Sequence, residues 1–229
     1  MPRSARRKFA ERSLRVGVFI LSLTPFVFLA ADAATGGLGT NPIEGATHRT
    51  GWWALAFLML TLGVTPVRRI LGWGALVKLR RMLGLFAFFY AVLHFGIYIG
   101  LDQFFAFDYI IEDITERPYI TVGFTALLLM VPLALTSTKR MIKRLGGKRW
   151  NRLHKLVYPI AALGVLHFFW LVKADTREPL IFGGVLAILL GYRALSGRLR
   201  QLRTQKARLS GAALALEPQS TPTEGTGAR

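Results

Sequence analysis

The chain contains no cysteine in 229 residues. That absence excludes disulfides, thiol catalysis, iron–sulfur clusters and haem attachment through a Cys-x-x-Cys-His motif. Any metal chemistry therefore rests on His, carboxylate, Tyr or Met. A phosphate-cradling glycine fingerprint is lacking too, since Gly37-Leu38-Gly39 runs into Pro42 rather than into a Gly-x-Gly-x-x-Gly after a strand. The polar tail is too short for a nucleotide-binding domain, so electrons, if they move here, do not come from a nicotinamide held by this chain. Acidic residues are few, 12 against 30 basic, and histidines number four.

What the chain has in quantity is apolar sequence, 52% of residues, with a mean hydropathy of +0.40. Six segments are almost free of charge: Val16 to Ala31, Thr50 to Val67, Met82 to Leu101, Pro118 to Thr138, Leu156 to Val172 and Pro179 to Tyr192. A helix needs about 20 apolar residues to cross the hydrocarbon core. The third and fourth segments meet this easily, the second and fifth narrowly. The first and sixth need flanking Lys or Arg to snorkel. The expected fold is an all-α integral membrane protein, a six-span transmembrane helical bundle. Its parts are a basic N-terminus (1–15), a membrane domain (16–197) and a basic, then disordered, tail (198–229).

A net charge of +18 could point to nucleic acid, but its distribution does not. In a six-span arrangement 26 of the 30 basic residues fall on one side, whereas nine of the twelve acidic residues fall on the other. Basic loops stay cytoplasmic, so both termini are expected inside, and no nucleic-acid partner is implied. The N-terminus also has the form of a secretory signal, with Ala31-Asp32-Ala33 resembling a cleavage site. Its apolar run is long for an h-region, and a retained first span is the reading preferred. Between Asp102 and Arg117, acids alternate with Phe104, Phe105, Phe107, Tyr109, Ile110 and Ile111. This fits a segment in the outer interface, either a connector or a docking surface for an external partner.

His94 and His167 each lie within an apolar span, where an ionisable side chain is costly and marks function. Counted outward at 1.5 Å per residue, His94 lies about 18 Å along the third span and His167 about 17 Å along the fifth. Two imidazoles at matched depth can ligate one metal from opposite sides, and without cysteine that metal is expected to be haem iron. Ala87 and Ala91 before His94, and Gly164 before His167, leave room for a porphyrin edge. Phe95, Tyr98, Phe168, Phe169 and Trp170 can wall it. His154, thirteen residues before His167, is expected at the cytoplasmic boundary about 20 Å lower. It is an unpaired ligand, an alternative ligand or an interfacial histidine. Arg80, almost in phase with His94, suits a haem propionate. His48 precedes the second span, where a propionate, a quinone headgroup or a partner could meet it.

The same residues carry a family resemblance. Asn41-Pro42-Ile43-Glu44, Thr47-His48, Thr50-Gly51, Arg80 to Leu85, Leu93-His94, Arg117 to Gly123, Leu135-Thr136-Ser137, Leu145-Gly146 to Trp150, Leu153-His154, Val157-Tyr158 and His167-Phe168 with Trp170 form one ordered set. Together they resemble the haem-binding membrane subunit of periplasmic methionine-sulfoxide reductase systems, the MsrQ family of the ferric-reductase-like transmembrane group. The resemblance implies haem b, one or two per chain, and FMN by association. It also implies passage of electrons from the membrane quinone pool to a periplasmic molybdenum-containing reductase, within a multi-pass protein of the bacterial inner membrane. His94 and His167 match the family ligands, His154 a third family position, and Arg80 the family arginine. Gly45-Ala46 stands where bulkier residues are expected. The alternatives are a stand-alone ferric or quinone reductase-like cytochrome serving another acceptor, and a non-redox transporter or scaffold. Lacking thiols, the chain fits an electron donor rather than the sulfoxide-reducing catalyst.

Overall fold

A computed structural model describes residues 3–172 and 174–215. The chain divides into two units, 1–189 and 190–229. Among the described residues nine α-helices run in order: α1 Arg3–Thr35, α2 Pro42–Leu71, α3 Val77–Ile97, α4 Phe107–Glu116, α5 Pro118–Leu135, α6 Lys139–Leu145, α7 Gly147–Leu153, α8 Val157–Leu171 and α9 Arg177–Ala215. Six stretches are long and apolar enough to span a membrane: Phe9–Thr35, Pro42–Leu71, Gly74–Asp102, Pro118–Leu135, Gly147–Leu171 and Arg177–Leu199. All six expected spans are therefore present. Each of the two short ones is lengthened by helix that continues into its polar flanks. The helix α9 also runs beyond Arg208, where the basic stretch was expected to end. The rest of the expected disordered tail, 216–229, lies outside the described residues.

Helix starts follow local chemistry. Asn41 caps α2 through its side chain, which accepts from the Glu44 amide and donates to the Glu44 carboxylate, while Pro42 occupies the first turn. Pro118 opens α5 in the same way. Gly45 and Ala46 are small for a packing reason. A Cβ on Gly45 would collide with the Leu38 carbonyl, and Ala46 is buried beside Leu29 and Ile97. The first loop thus folds back onto α2, which bulkier residues there would prevent.

The helices α2 and α3 pack antiparallel, as do α5 and α8, and α1 lies against α2 and α3. A stack of rings joins these first three helices: Phe57 lies over Tyr90 (5.4 Å, 10°) and over Phe86, which Phe19 of α1 meets edge-on at 5.4 Å. Lys78 pairs with Glu11 at one end of α1, and Arg49 pairs with Asp32 at the other. Ala31 to Ala33 lie inside α1, with Asp32 held in that ion pair.

Pro25 removes one amide hydrogen from the α1 ladder. Beside it, the buried Tyr90 hydroxyl accepts from the Phe26 amide at 3.0 Å and donates to the Ser22 carbonyl at 2.8 Å. The phenol thereby bridges a donor and an acceptor that a straight helix would pair directly. In hydrocarbon no water could do this.

After α3 the helix widens into a π turn, Tyr98–Asp102, and then turns sharply through Phe104 and Phe105, both at positive φ (46° and 59°). Two aromatic residues in the left-handed region are unusual and strained. They deliver the chain into α4, whose Ile110 is buried while Phe107, Tyr109 and Ile111 are exposed. Asp113 of α4 accepts from the Tyr98 hydroxyl at 3.0 Å and pairs with Arg117 at 3.1 Å. The expected interfacial segment is thus a helix anchored at both ends. Tyr90→Phe should leave the Phe26 amide and the Ser22 carbonyl unpaired. A cost of about 1–3 kcal/mol is expected, read as a lowered thermal midpoint in detergent; an unchanged midpoint would count against the bridge.

Candidate haem site

His94 stands three residues before the end of α3, and His167 four before the end of α8. Because α2 and α5 run antiparallel to them, each histidine lies beside the start of a neighbouring helix. The Nδ1–H of His94 donates to the Thr47 carbonyl at 2.9 Å, and that of His167 donates to the Tyr119 carbonyl at 2.7 Å. These bonds fix the tautomer, leaving Nε2 of each ring as the ligating nitrogen. The two ring centres are 6.1 Å apart. Two imidazoles facing one iron, with metal–nitrogen bonds of about 2 Å each, have ring centres roughly 6 Å apart. The donor set and its spacing fit a haem held between two axial histidines.

The same local pattern occurs twice. Gly51 follows Thr47 by four residues, and Gly123 follows Tyr119 by four, so each glycine sits one turn beyond the accepting carbonyl. A Cβ on Gly51 would lie 3.1 Å from Cε1 and Nδ1 of His94, and one on Gly123 only 2.6 Å from Nδ1 of His167. Each imidazole therefore rests against bare backbone, and any side chain would push it off its carbonyl. Neither glycine nor either carbonyl was assigned a role from the sequence. The available signal was a glycine inside an apolar helix, which calls for a close-approach explanation. Thr50 adds a third contact, its Oγ1 lying 3.5 Å from His94 Nδ1 while donating to the Ala46 carbonyl at 2.8 Å.

Other sequence-derived residues divide. Ala87 is wholly buried, on the face of α3 that carries Gly84 toward Thr61 of α2. It serves helix packing rather than a porphyrin edge. Gly164 likewise admits Leu55 of α2, whose Cδ1 would be 3.2 Å from an added Cβ. Phe169 and Trp170 are exposed. Phe168 is buried between His48 and Phe182, at 5.7 Å and 6.2 Å between ring centres. Tyr98 is committed to Asp113, with Phe95 stacked on it at 6.2 Å. His48 is half-exposed near the pair, its Nε2 3.6 Å from the Glu178 carboxylate.

His154 and Arg80 sit together at the opposite, basic end, close enough for the guanidinium charge to act on the imidazole. A 3₁₀ turn, His154–Leu156, separates α7 from α8, so His154 and His167 are not on one continuous α-helix as the sequence implied. Trp150 stacks on His154 at 3.8 Å, accepts from its Nδ1 through its carbonyl at 3.1 Å, and donates its indole N–H to the Thr136 carbonyl at 3.0 Å. The His154 Nε2 is buried without a well-formed hydrogen bond, although the Leu133 carbonyl is nearby.

The family described as "Ferric reductase like transmembrane component" matches residues 50–165. Curated relatives named "Protein-methionine-sulfoxide reductase heme-binding subunit MsrQ" are similar over most of the chain. The Rhodospirillum rubrum protein is 52% identical, covering 87% of this chain and 96% of its own. That of Herminiimonas arsenicoxydans is 54% identical over 77% and 82%, and that of Azospira oryzae 51% over 80% and 79%.

Gly123→Ala should displace the His167 ring and lower haem per chain several-fold. Gly51→Ala, with more room, should act less. Haem quantification and the low-spin electron paramagnetic resonance signal would check this order. Equal, full haem content and unchanged signals in both would refute the cradle.

Proposed function

The chain belongs to the family of MsrQ haem-binding subunits, within the ferric-reductase-like transmembrane group, and from that membership we propose that it passes electrons within a membrane on haem b. The observation that carries the reading is the facing pair His94 and His167, with both Nδ1 atoms committed to backbone carbonyls. His94 and His167 would hold the iron, each through its Nε2. The Thr47 and Tyr119 carbonyls orient the rings and raise the basicity of the ligating nitrogens. Bound haem supplies one-electron redox chemistry that no side chain here offers.

The donor in this reading is the membrane quinone pool. The acceptor is a periplasmic molybdenum-containing reductase that repairs methionine sulfoxide in oxidised proteins. The chain is thus an electron-transfer subunit, and the sulfoxide chemistry belongs to its partner. The basic loops lie in the cytoplasm and the histidine pair in the outer half of a bacterial inner membrane, following the charge asymmetry. Arg80 and His154 lie together at the inner end, where His154 would be a ligand if a second haem is bound and Arg80 would meet a propionate. His48 contacts the edge of the outer haem or its redox partner. An FMN contribution is carried by the resemblance alone, and no residue is assigned to it.

A reduced-minus-oxidised spectrum of the purified protein should be b-type. His94→Ala and His167→Ala should each abolish the outer haem, and full haem retention in both would sink the ligand assignment. His154→Ala should lower haem per chain by about half if two haems are bound, and leave it unchanged if one is. Arg80→Ala should shift the midpoint potential more than the occupancy, as a propionate contact does. Loss of the molybdenum partner should abolish physiological quinol turnover; turnover persisting with another acceptor would favour a stand-alone reductase.

A further inference from the structure

A cavity of about 120 Å3 lies between α1, α2 and α3, lined by Pro25, Phe28, Leu29, Arg49, Thr50, Trp53 and Tyr90. It stands apart from the histidine pair but shares a wall with it, for Thr50, which lines the cavity, lies 3.5 Å from His94. Its walls are tied together. Pro25 interrupts the amide ladder of α1 beside it, and the Tyr90 hydroxyl bridges Ser22 and Phe26 there. Arg49 is held at the rim by Asp32 and by the Gly37 carbonyl at 3.3 Å. Phe28 is largely exposed on the lipid-facing side of α1, marking where a ligand would enter.

We propose that this cavity binds the headgroup of a membrane quinol, with the tail leaving past Phe28 into the bilayer. The proposal rests on the quinone-donor reading above and adds the site. Size decides the class. An apolar protein cavity of about 150 Å3 takes up benzene, so this volume suits one six-membered ring. It cannot enclose a porphyrin or the three fused rings of a flavin. Trp53 and Tyr90 offer aromatic walls to a planar ring. A guanidinium has five N–H donors, more than Asp32 and Gly37 occupy, so Arg49 can also donate to a quinone oxygen. A hydrocarbon chain alone would have no use for that cation at the rim.

The position also suits the chemistry. A quinol oxidised here becomes quinone by losing two electrons and two protons. A haem held by His94 would accept the electrons one at a time, and Thr50 is the contact between the cavity and that histidine. The protons leave by Asp32, the carboxylate paired with Arg49, to water outside.

The test uses the full haem-loaded protein in lipid nanodiscs, with decylubiquinone as the probe. Binding is measured by equilibrium dialysis, and haem reduction by decylubiquinol is followed by stopped-flow absorbance. Wild type should bind the quinone. Leu29→Trp, which fills the cavity, should weaken binding at least tenfold, and Arg49→Gln should weaken it several-fold. Both should keep their haem content and dithionite-reduced spectrum. Photolabelling with an azido-quinone should mark α1 and the first half of α2, which tests the site even if one variant fails to fold. Binding unchanged in the folded variants, or label confined to other helices, would overturn the site while leaving the quinone donor in place. A wild type that neither binds decylubiquinone nor is reduced by its quinol would overturn both.

Discussion

A histidine in hydrocarbon carries one N–H that water cannot reach, and the arrangement around it follows from where that proton goes. An unpaired buried donor costs a few kcal/mol. In this chain both imidazoles near the acidic end give the proton to a backbone carbonyl of a neighbouring helix, Thr47 for His94 and Tyr119 for His167. That choice sets the tautomer, leaves the other nitrogen without a proton, and demands that the two helices of each pair come close. Closeness in turn demands glycine one turn further on, and Gly51 and Gly123 stand there. Ligand geometry, helix spacing and residue size are therefore one constraint met twice, by α2 with α3 and by α5 with α8.

Packing between apolar helices gains nothing from the hydrophobic effect in lipid, so close contact and polar ties must hold them. The ties are placed at specific depths. Tyr90 repairs the ladder of α1 at Pro25, Trp150 reaches the last turn of α5 at Thr136, and Thr side chains return to their own helix carbonyls. Charged pairs, Lys78 with Glu11, Arg49 with Asp32 and Arg117 with Asp113, sit at the helix ends where water can reach them. These exposed pairs are worth little individually. They register α1 against α2 and α3, and α4 against α5, more than they stabilise.

The spans, the one-sided charge and the matched depth of His94 and His167 were legible because each depends on residue type and the rise of a helix. The mixture of acids and aromatics after Asp102 set that segment apart from the spans, and the short helix α4 occupies it. What stayed hidden depends on backbone partners and on inter-helix distance. No residue type announces that the Thr47 carbonyl accepts from His94. Ala87 and Gly164 were read as room for a cofactor, yet small residues on a membrane helix equally admit another helix, and here they do. The break between His154 and His167 was hidden because a 3₁₀ turn interrupts what reads as one helix. The cavity beside Thr50 was invisible because it depends on Pro25 and on a tyrosine 65 residues away in sequence.

The distribution of these features along the membrane normal gives the protein a direction. Three of the four histidines lie toward the acidic end, with Glu178 and Asp32 beside them, while His154 lies among the basic residues of α6, α7 and the start of α3. A haem at the acidic end is near carboxylates that disfavour extra negative charge. A group beside Arg80 and the basic helices is near cations that favour it. For an electron, the second environment is the less reducing and the first the more reducing, by electrostatics alone. Ligand type, burial and hydrogen bonding act on top of that field. The field of the chain itself would therefore make electron release easier from a group bound at the end where the Thr47 and Tyr119 carbonyls hold the two imidazoles.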